Sequence, residues 1–138
     1  GADHLINYVE RPFADAVREL FGKPRIQGGG GVDVAVNFSG GDTWIATQKC
    51  VRAGGRILTC GATAGFDVGT DLRYLWTFEH TVIGSNGWSV ADLEALLALI
   101  ANGRLQPAID RILPLDEVSE GERLLEEREV LGKVLVAP

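Results

Sequence analysis

Residues 31–65, GVDVAVNFSGGDTWIATQKCVRAGGRILTCGATAG, read as one strand-helix-strand crossover: an apolar strand, a Gly-Gly turn, a helix, a second Gly-Gly turn, and another apolar strand ending in small residues. Val32, Val34, Val36 and Phe38 alternate with Asp33, Ala35 and Asn37, whereas Ile57, Leu58, Thr59 and Cys60 form a nearly continuous apolar run. The run predicts a second strand buried on both faces, as strands of parallel sheets are. An open parallel sheet holds its ligand in a crevice beyond the carboxyl ends of its strands. Ser39-Gly40-Gly41 and Gly61-Ala62-Thr63-Ala64-Gly65 are therefore expected to open onto one crevice, and function is sought at those glycines.

Upstream, residues 5–8 read as a short strand closed by Arg11-Pro12, and Phe13, Val17, Leu20 and Phe21 recur at helical spacing. Gly22 reads as the left-handed cap of that helix. The four glycines at 28–31 precede a strand instead of opening a helix, and no Lys-Ser or Lys-Thr follows them. They read as a surface loop, not a phosphate cradle. Downstream, residues 67–80 predict a short irregular helix, residues 81–85 a strand, and Asn86-Gly87-Trp88 its turn. Ser89 and Asp92 approximate a capping box for a helix with one apolar stripe, Val90, Leu93, Leu96, Leu97 and Ile100. An extended passage over 109–113, a charged helix over 117–129 and a strand over 133–136 complete the order.

With 138 residues, 46% hydrophobic and 23% charged, the chain suits one packed domain better than two. Thirteen Lys and Arg against nineteen Asp and Glu give a net charge of -6, which disfavours nucleic acid as a partner. The longest uncharged apolar run, residues 95–101, is far short of the roughly 20 residues of a membrane span, and no signal core opens the chain. The expected compartment is the cytoplasm. Cys50 and Cys60 have no metal-ligand spacing and read as reduced core residues. The opening GADHLINY lacks an initiator methionine and reads as the start of a piece cut from a longer sequence.

Other chemistry fails on inspection. His4 and His80 have no Cys, Ser or carboxylate at a spacing that makes a metal cluster or a nucleophilic dyad. Four residues after Tyr8 and Tyr74 stand Pro12 and Phe78, so a Tyr-Lys hydride-transfer pair is excluded. EGERLLEERE, residues 120–129, reads as a solvated helix packed through Leu124 and Leu125. The scattered Trp44, Trp76 and Trp88 make no base-stacking platform. No catalytic residue and no metal ligand is assigned.

The motifs GADHLINY, GVDVAVNFSGG, AGGRILTCGATAG, TVIGSNGW, IDRILPL and GKVLVAP, in that order and spacing, resemble the carboxy-terminal part of a medium-chain dehydrogenase/reductase. The group is that of zinc-type alcohol dehydrogenases and quinone oxidoreductases, and the resemblance covers essentially the whole chain. It implies an α/β fold: the distal part of a Rossmann-type, doubly wound parallel sheet over residues 1–105, lacking its first two strands. Residues 106–138 would be a return segment of the catalytic domain. Residues 5–8, 32–38, 56–60 and 81–84 would be strands three to six. By the same resemblance, Phe38, Ser39 and Gly40 would flank the adenosine of NAD or NADP. Gly61, Ala62 and Thr63 would lie along the nicotinamide ribose, and Gly84, Ser85 and Asn86 would approach the carboxamide. Small residues there let a flat dinucleotide approach the backbone closely.

The fingerprint loop, the family's zinc ligands and its substrate pocket would lie upstream, so zinc is possible only in the parent protein. The implied parent transfers a hydride between nicotinamide and an alcohol or aldehyde, a quinone or an enone, while this piece alone would bind NAD(P) weakly or not at all. The alternative is a non-catalytic, truncated module that self-associates through exposed sheet edges. A homo-oligomer is implied, with Val82, Ile83 and Gly84 as its interface. Lys133 reads as a solvated lysine, with a cofactor phosphate as the alternative.

Overall fold

In the computed structural model, which describes residues 1–138, β1 (Val32–Asn37), β2 (Val51–Thr59) and β3 (Thr81–Gly84) form a parallel sheet in the order β1-β2-β3. Parallel neighbours need a crossover. α2 (Thr43–Gln48) supplies the first and α3 (Leu72–Thr77), capped by the Asp71 side chain, the second. The α/β, parallel-sheet expectation holds, and β1 leaves one edge unpaired. α1 (Phe13–Phe21) precedes the sheet.

The core gathers Trp44, Val51 and Ile57, with Val32, Ala35 and Val68 packed against them. Val51 and Ile57 are fully buried, and each such side chain contributes about 1.5–3 kcal/mol. Ala35 pairs with Ile57 and Ile57 with Val82, so one sheet face carries this core. The opposite face is open: Val34 and Val36 are 52% and 56% exposed, and Phe38 beyond them is 60% exposed. The expectation of a second strand buried on both faces is thus corrected. Ile57 is buried, Leu58 and Thr59 are half-buried, and Cys60 is exposed, while Cys50 is a buried core thiol. A strand residue is inside only where a layer covers its face, and α2 packs on the Ala35, Asn37 and Ile57 side alone.

Three further expectations change. Residues 5–8 are not a strand. Asn7 Oδ1 accepts the Val9 N–H and Asn7 O accepts those of Glu10 and Arg11, so a local turn takes the backbone groups a ladder would need. The second Gly-Gly pair lies inside β2, which begins at Val51, not Arg56. Between the pairs Val32↔Val51 and Val34↔Arg56 the register shifts, and the excess chain bulges out around Gly54 at φ 69°. Gly22 has a positive φ of 80° but a ψ of 161°, outside the left-handed helical well, and donates to Arg18 O.

Residues 1–87 and 88–138 form two compact units, which groups α4 (Val90–Ala101) with the second. The capping box is present: Ser89 Oγ accepts the Asp92 N–H and the Asp92 carboxylate accepts the Ser89 N–H. The apolar stripe of α4 faces solvent instead of a core, with Val90 69% and Leu97 54% exposed. β4 (Ile109–Pro114) and β5 (Lys133–Ala137) pair in parallel as a separate sheet. After a 3-10 turn at Leu115–Glu117, α5 (Val118–Glu126) rests on that sheet through Gly121, whose absent Cβ would stand 3.3 Å from Leu113 and Val134. Leu124 is buried there but Leu125 is exposed. Arg123 pairs with Glu120 and Glu127 on the solvent side.

Candidate functional site

The register pairs Asn37↔Thr59 and Thr59↔Gly84 end the three strands of the first unit at one level. The segments that follow, starting at Phe38, Cys60 and Ser85, leave the sheet at the same end. Two of them are fastened together: Ala64 N–H donates to Ser39 O at 2.7 Å and Gly41 N–H to Gly65 O at 2.9 Å. Ser85 N–H donates to Thr59 O at 2.9 Å, tying the third segment to β2. The tips of the first two strands therefore lie side by side, as the parallel reading requires.

Asn37 shapes the first tip. Its side chain is 6% exposed. Its Nδ2 donates to Thr43 Oγ1 at 3.0 Å and Thr47 Oγ1 at 2.8 Å, and its Oδ1 accepts the N–H groups of Ser39 at 3.1 Å and Gly40 at 2.9 Å. All its hydrogen-bonding capacity toward the loop and helix is used, so it locks β1, the loop and α2 into one piece. Thr43 Oγ1 donates in turn to Gly40 O at 2.6 Å, and Thr47 Oγ1 to Thr43 O at 2.8 Å. Motif reading centred on glycines passed over Asn37, although an Asn two residues before a turn amide is the signature of an Asx turn.

The residues expected along a dinucleotide differ in placement. Gly40 is buried: a Cβ there would collide with Gly65 O and meet Ala62 Cα at 3.2 Å, and its φ is 68°. Gly61 would bring a Cβ to 3.0 Å from Phe38 O. Packing between the two loops thus accounts for both glycines. Gly84 has nothing within 4 Å of its Cβ position, which is open space at the end of β3. Phe38, Ala62, Thr63, Ser85 and Asn86 are exposed and Ser39 is half-buried. No ionisable side chain belongs to this set, so the tips offer backbone amides, hydroxyls and one amide side chain.

His80 lies at the opposite end of the sheet, just before β3. Its Nε2 meets Val51 O at 3.2 Å, which places the proton on Nε2, and its buried Nδ1 has no partner. Burial holds its pKa below the usual imidazole value, against the raising effect of hydrogen bonds to the Val51 and Arg52 backbone. It is a structural histidine beneath the sheet. No group of three or more His, Cys, Asp or Glu side chains gathers to hold a metal ion, and no helix is long and apolar enough to cross a membrane.

A family model described as zinc-binding dehydrogenase matches residues 1–136. Crotonyl-CoA reductase of Streptomyces collinus is 31% identical over 108 residues, covering 78% of this chain and 23% of that protein. Quinone oxidoreductase-like protein 2 of Bos taurus is 26% identical over 146 residues, covering 99% of this chain and 40% of that protein. A crystal structure of an NAD-dependent alcohol dehydrogenase superposes with a TM-score of 0.83 at 32% identity, over 100% of this chain and 38% of that one. The chain spans well under half the length of each of these relatives.

Proposed function

We infer that this chain, which belongs to the zinc-binding dehydrogenase family within the medium-chain dehydrogenases/reductases, is the distal nucleotide-binding part of an NAD(P)-dependent oxidoreductase. The carrying observation is the alignment of three parallel strand ends, two of whose loops are hydrogen-bonded to each other. Such a set of tips forms one wall of a dinucleotide crevice. In this reading Phe38, Ser39 and Gly40 border the adenosine, Gly61, Ala62 and Thr63 the nicotinamide ribose, and Gly84, Ser85 and Asn86 the carboxamide. The open space over Gly84 fits a flat ring approaching the backbone. When bound, the nicotinamide supplies or takes the hydride. This chain's own groups orient it: backbone amides and the Thr63 and Ser85 hydroxyls offer hydrogen bonds, and Asn37 keeps the first tip in place.

Residues 1–105 would serve the nucleotide domain and 106–138 the return to the catalytic domain. The substrate class is an alcohol or aldehyde, a quinone or an enone, in keeping with the alcohol dehydrogenase, quinone oxidoreductase-like and crotonyl-CoA reductase relatives. Zinc is a different matter. His4, His80, Cys50 and Cys60 form no metal-holding group, and the residues present do not fit that ion.

Neither strand-to-helix loop, Ser39-Gly40-Gly41 or residues 61–65, has the G-x-G-x-x-G spacing that anchors a pyrophosphate. NADPH is therefore expected to bind the isolated chain weakly, with NMR shifts confined to Phe38, Ser39, Gly61, Ala62, Thr63, Gly84, Ser85 and Asn86. Low-micromolar affinity would overturn the missing-anchor reasoning, and shifts elsewhere would overturn the crevice. A chimera in which this chain replaces the matched part of the NAD-dependent alcohol dehydrogenase should bind NADH. A folded chimera that does not bind would sink the assignment. A second reading, a self-associating module, draws on the unpaired edge of β1 and on exposed Val34, Val36 and Val82. Sedimentation separates it: a dimer broken by Val82→Lys would place the interface at Val82, Ile83 and Gly84.

A further inference from the structure

At the amino-terminal end of the first unit's sheet, away from the glycine tips, α1, α2 and α3 finish around a cavity of about 380 Å³. Its walls include Arg18, Lys23, Lys49, Arg73, Tyr74 and Phe78. We propose that this cavity is an anion site for a small phosphate-bearing ligand, separate from the dinucleotide crevice.

Four cations converge there in a chain whose net charge is -6. Arg18 and Arg73 each have a carboxylate neighbour, Asp15 at 3.0 Å and Asp71 at 2.8 Å. Lys23 and Lys49 take part in no ion pair. A cation at a helix end offsets the helix dipole, and Lys49 and Arg18 each do so. Dipole compensation needs one cation per helix and no cavity, however, and leaves Lys23, which has no carboxylate partner, unexplained. A phosphate group accepts several charge-assisted hydrogen bonds at once and can take them from Lys23 and Lys49 together. The volume falls in the range of small-molecule sites. One wall is aromatic, with Tyr74 and Phe78 stacked at 5.6 Å between centroids and 12° between planes.

The test is calorimetric titration of the 138-residue chain with inorganic pyrophosphate, ADP and, as a control, acetate, with amide NMR to locate binding. Pyrophosphate should bind and acetate should not, with shifts at Lys23, Lys49 and Tyr74. The paired substitution Lys23→Gln, Lys49→Gln should weaken binding about tenfold or more, with an unchanged far-ultraviolet spectrum. ADP binding more tightly than pyrophosphate would identify a nucleotide as the source of the phosphate; equal affinity would identify the phosphate alone. Lysine acetylation of the unmodified chain gives a readout free of any substitution: pyrophosphate should protect Lys23 and Lys49 but leave Lys133 reactive. No binding at millimolar pyrophosphate, unchanged affinity in the double variant, equal acetylation of all three lysines, or shifts confined to Gly61, Ala62, Thr63 and Gly84 would each overturn the proposal.

Discussion

Replacing Asn37 by Ala removes four hydrogen bonds at the point where β1, its loop and α2 meet. The two threonine hydroxyls keep their own bonds to Gly40 O and Thr43 O, so they add little to the loss. The backbone N–H groups of Ser39 and Gly40 have no other acceptor to turn to in the loop. Leaving two such donors unpaired costs about 1–3 kcal/mol each, so Asn37→Ala should destabilise the first unit by about 2–6 kcal/mol. Asn37→Asp keeps the acceptor for both N–H groups, but it loses the donors to the hydroxyls, about 1–2 kcal/mol, and adds the cost of a carboxylate at a position only 6% exposed. Urea unfolding followed by tryptophan emission measures both, because Trp44 is 8% exposed in this unit while Trp76 and Trp88 are 72% and 70% exposed. Amide exchange at Ser39 and Gly40 should quicken in the Ala variant. An Asn37→Ala protein within about 0.5 kcal/mol of the original, or unchanged amide exchange at Ser39 and Gly40 in that variant, would refute the role assigned to the side-chain acceptor.

Gly41 and Gly84 should respond in opposite ways to Ala. Gly41 has φ 51° and its Cβ would stand 2.6 Å from Ala64 O, so Gly41→Ala should cost about 2–4 kcal/mol in urea unfolding. Gly84→Ala meets nothing within 4 Å and should stay within about 0.5 kcal/mol; equal losses would contradict the loop packing. Burial lowers the His80 pKa in the folded chain, so the unfolded chain takes up the proton first as pH falls. The stability from neutral His80 is present above the ordinary imidazole value of about 6.5 and declines as pH drops from there toward the depressed folded value. His80→Gln should flatten the melting temperature between pH 7 and the point where carboxylates begin to protonate, a window read by differential scanning calorimetry; an unchanged slope would show that His80 does not titrate with unfolding.

The parallel order was legible because apolar strands punctuated by glycines and separated by short helical segments permit little else. The Ser89 and Asp92 capping box was legible for the same local reason, since both partners lie within one turn. What periodicity does not encode is whether a layer covers each face. Val34 and Val36 alternate as core residues do, yet α2 packs on the other side, against Ala35, Asn37 and Ile57. Residues 5–8 have strand composition, but a strand exists only with a partner, and the Asn7 turn claims the backbone first. The cationic cavity was invisible for a related reason: Arg18, Lys23, Lys49 and Arg73 are spread over 56 positions and meet only after three helices have formed.

The glycines divide by the same logic. A glycine at a strand tip is required either because another part of the chain fills its Cβ position or because a ligand does. Gly40 and Gly41 belong to the first kind, since each Cβ would enter the neighbouring loop, and Gly61 borders on it. Their substitution disturbs folding before it reports on any nucleotide. Gly84 is the position at which the two causes separate, because its Cβ side is empty and its φ is not left-handed. Gly84→Val should therefore leave the urea midpoint of the isolated chain nearly unchanged, yet lower NADH affinity of the alcohol dehydrogenase chimera by about tenfold or more if the ring lies over that backbone. Equal NADH affinity in the substituted and original chimeras, measured by fluorescence titration, would show that the open space at the end of β3 is simply the edge of a sheet.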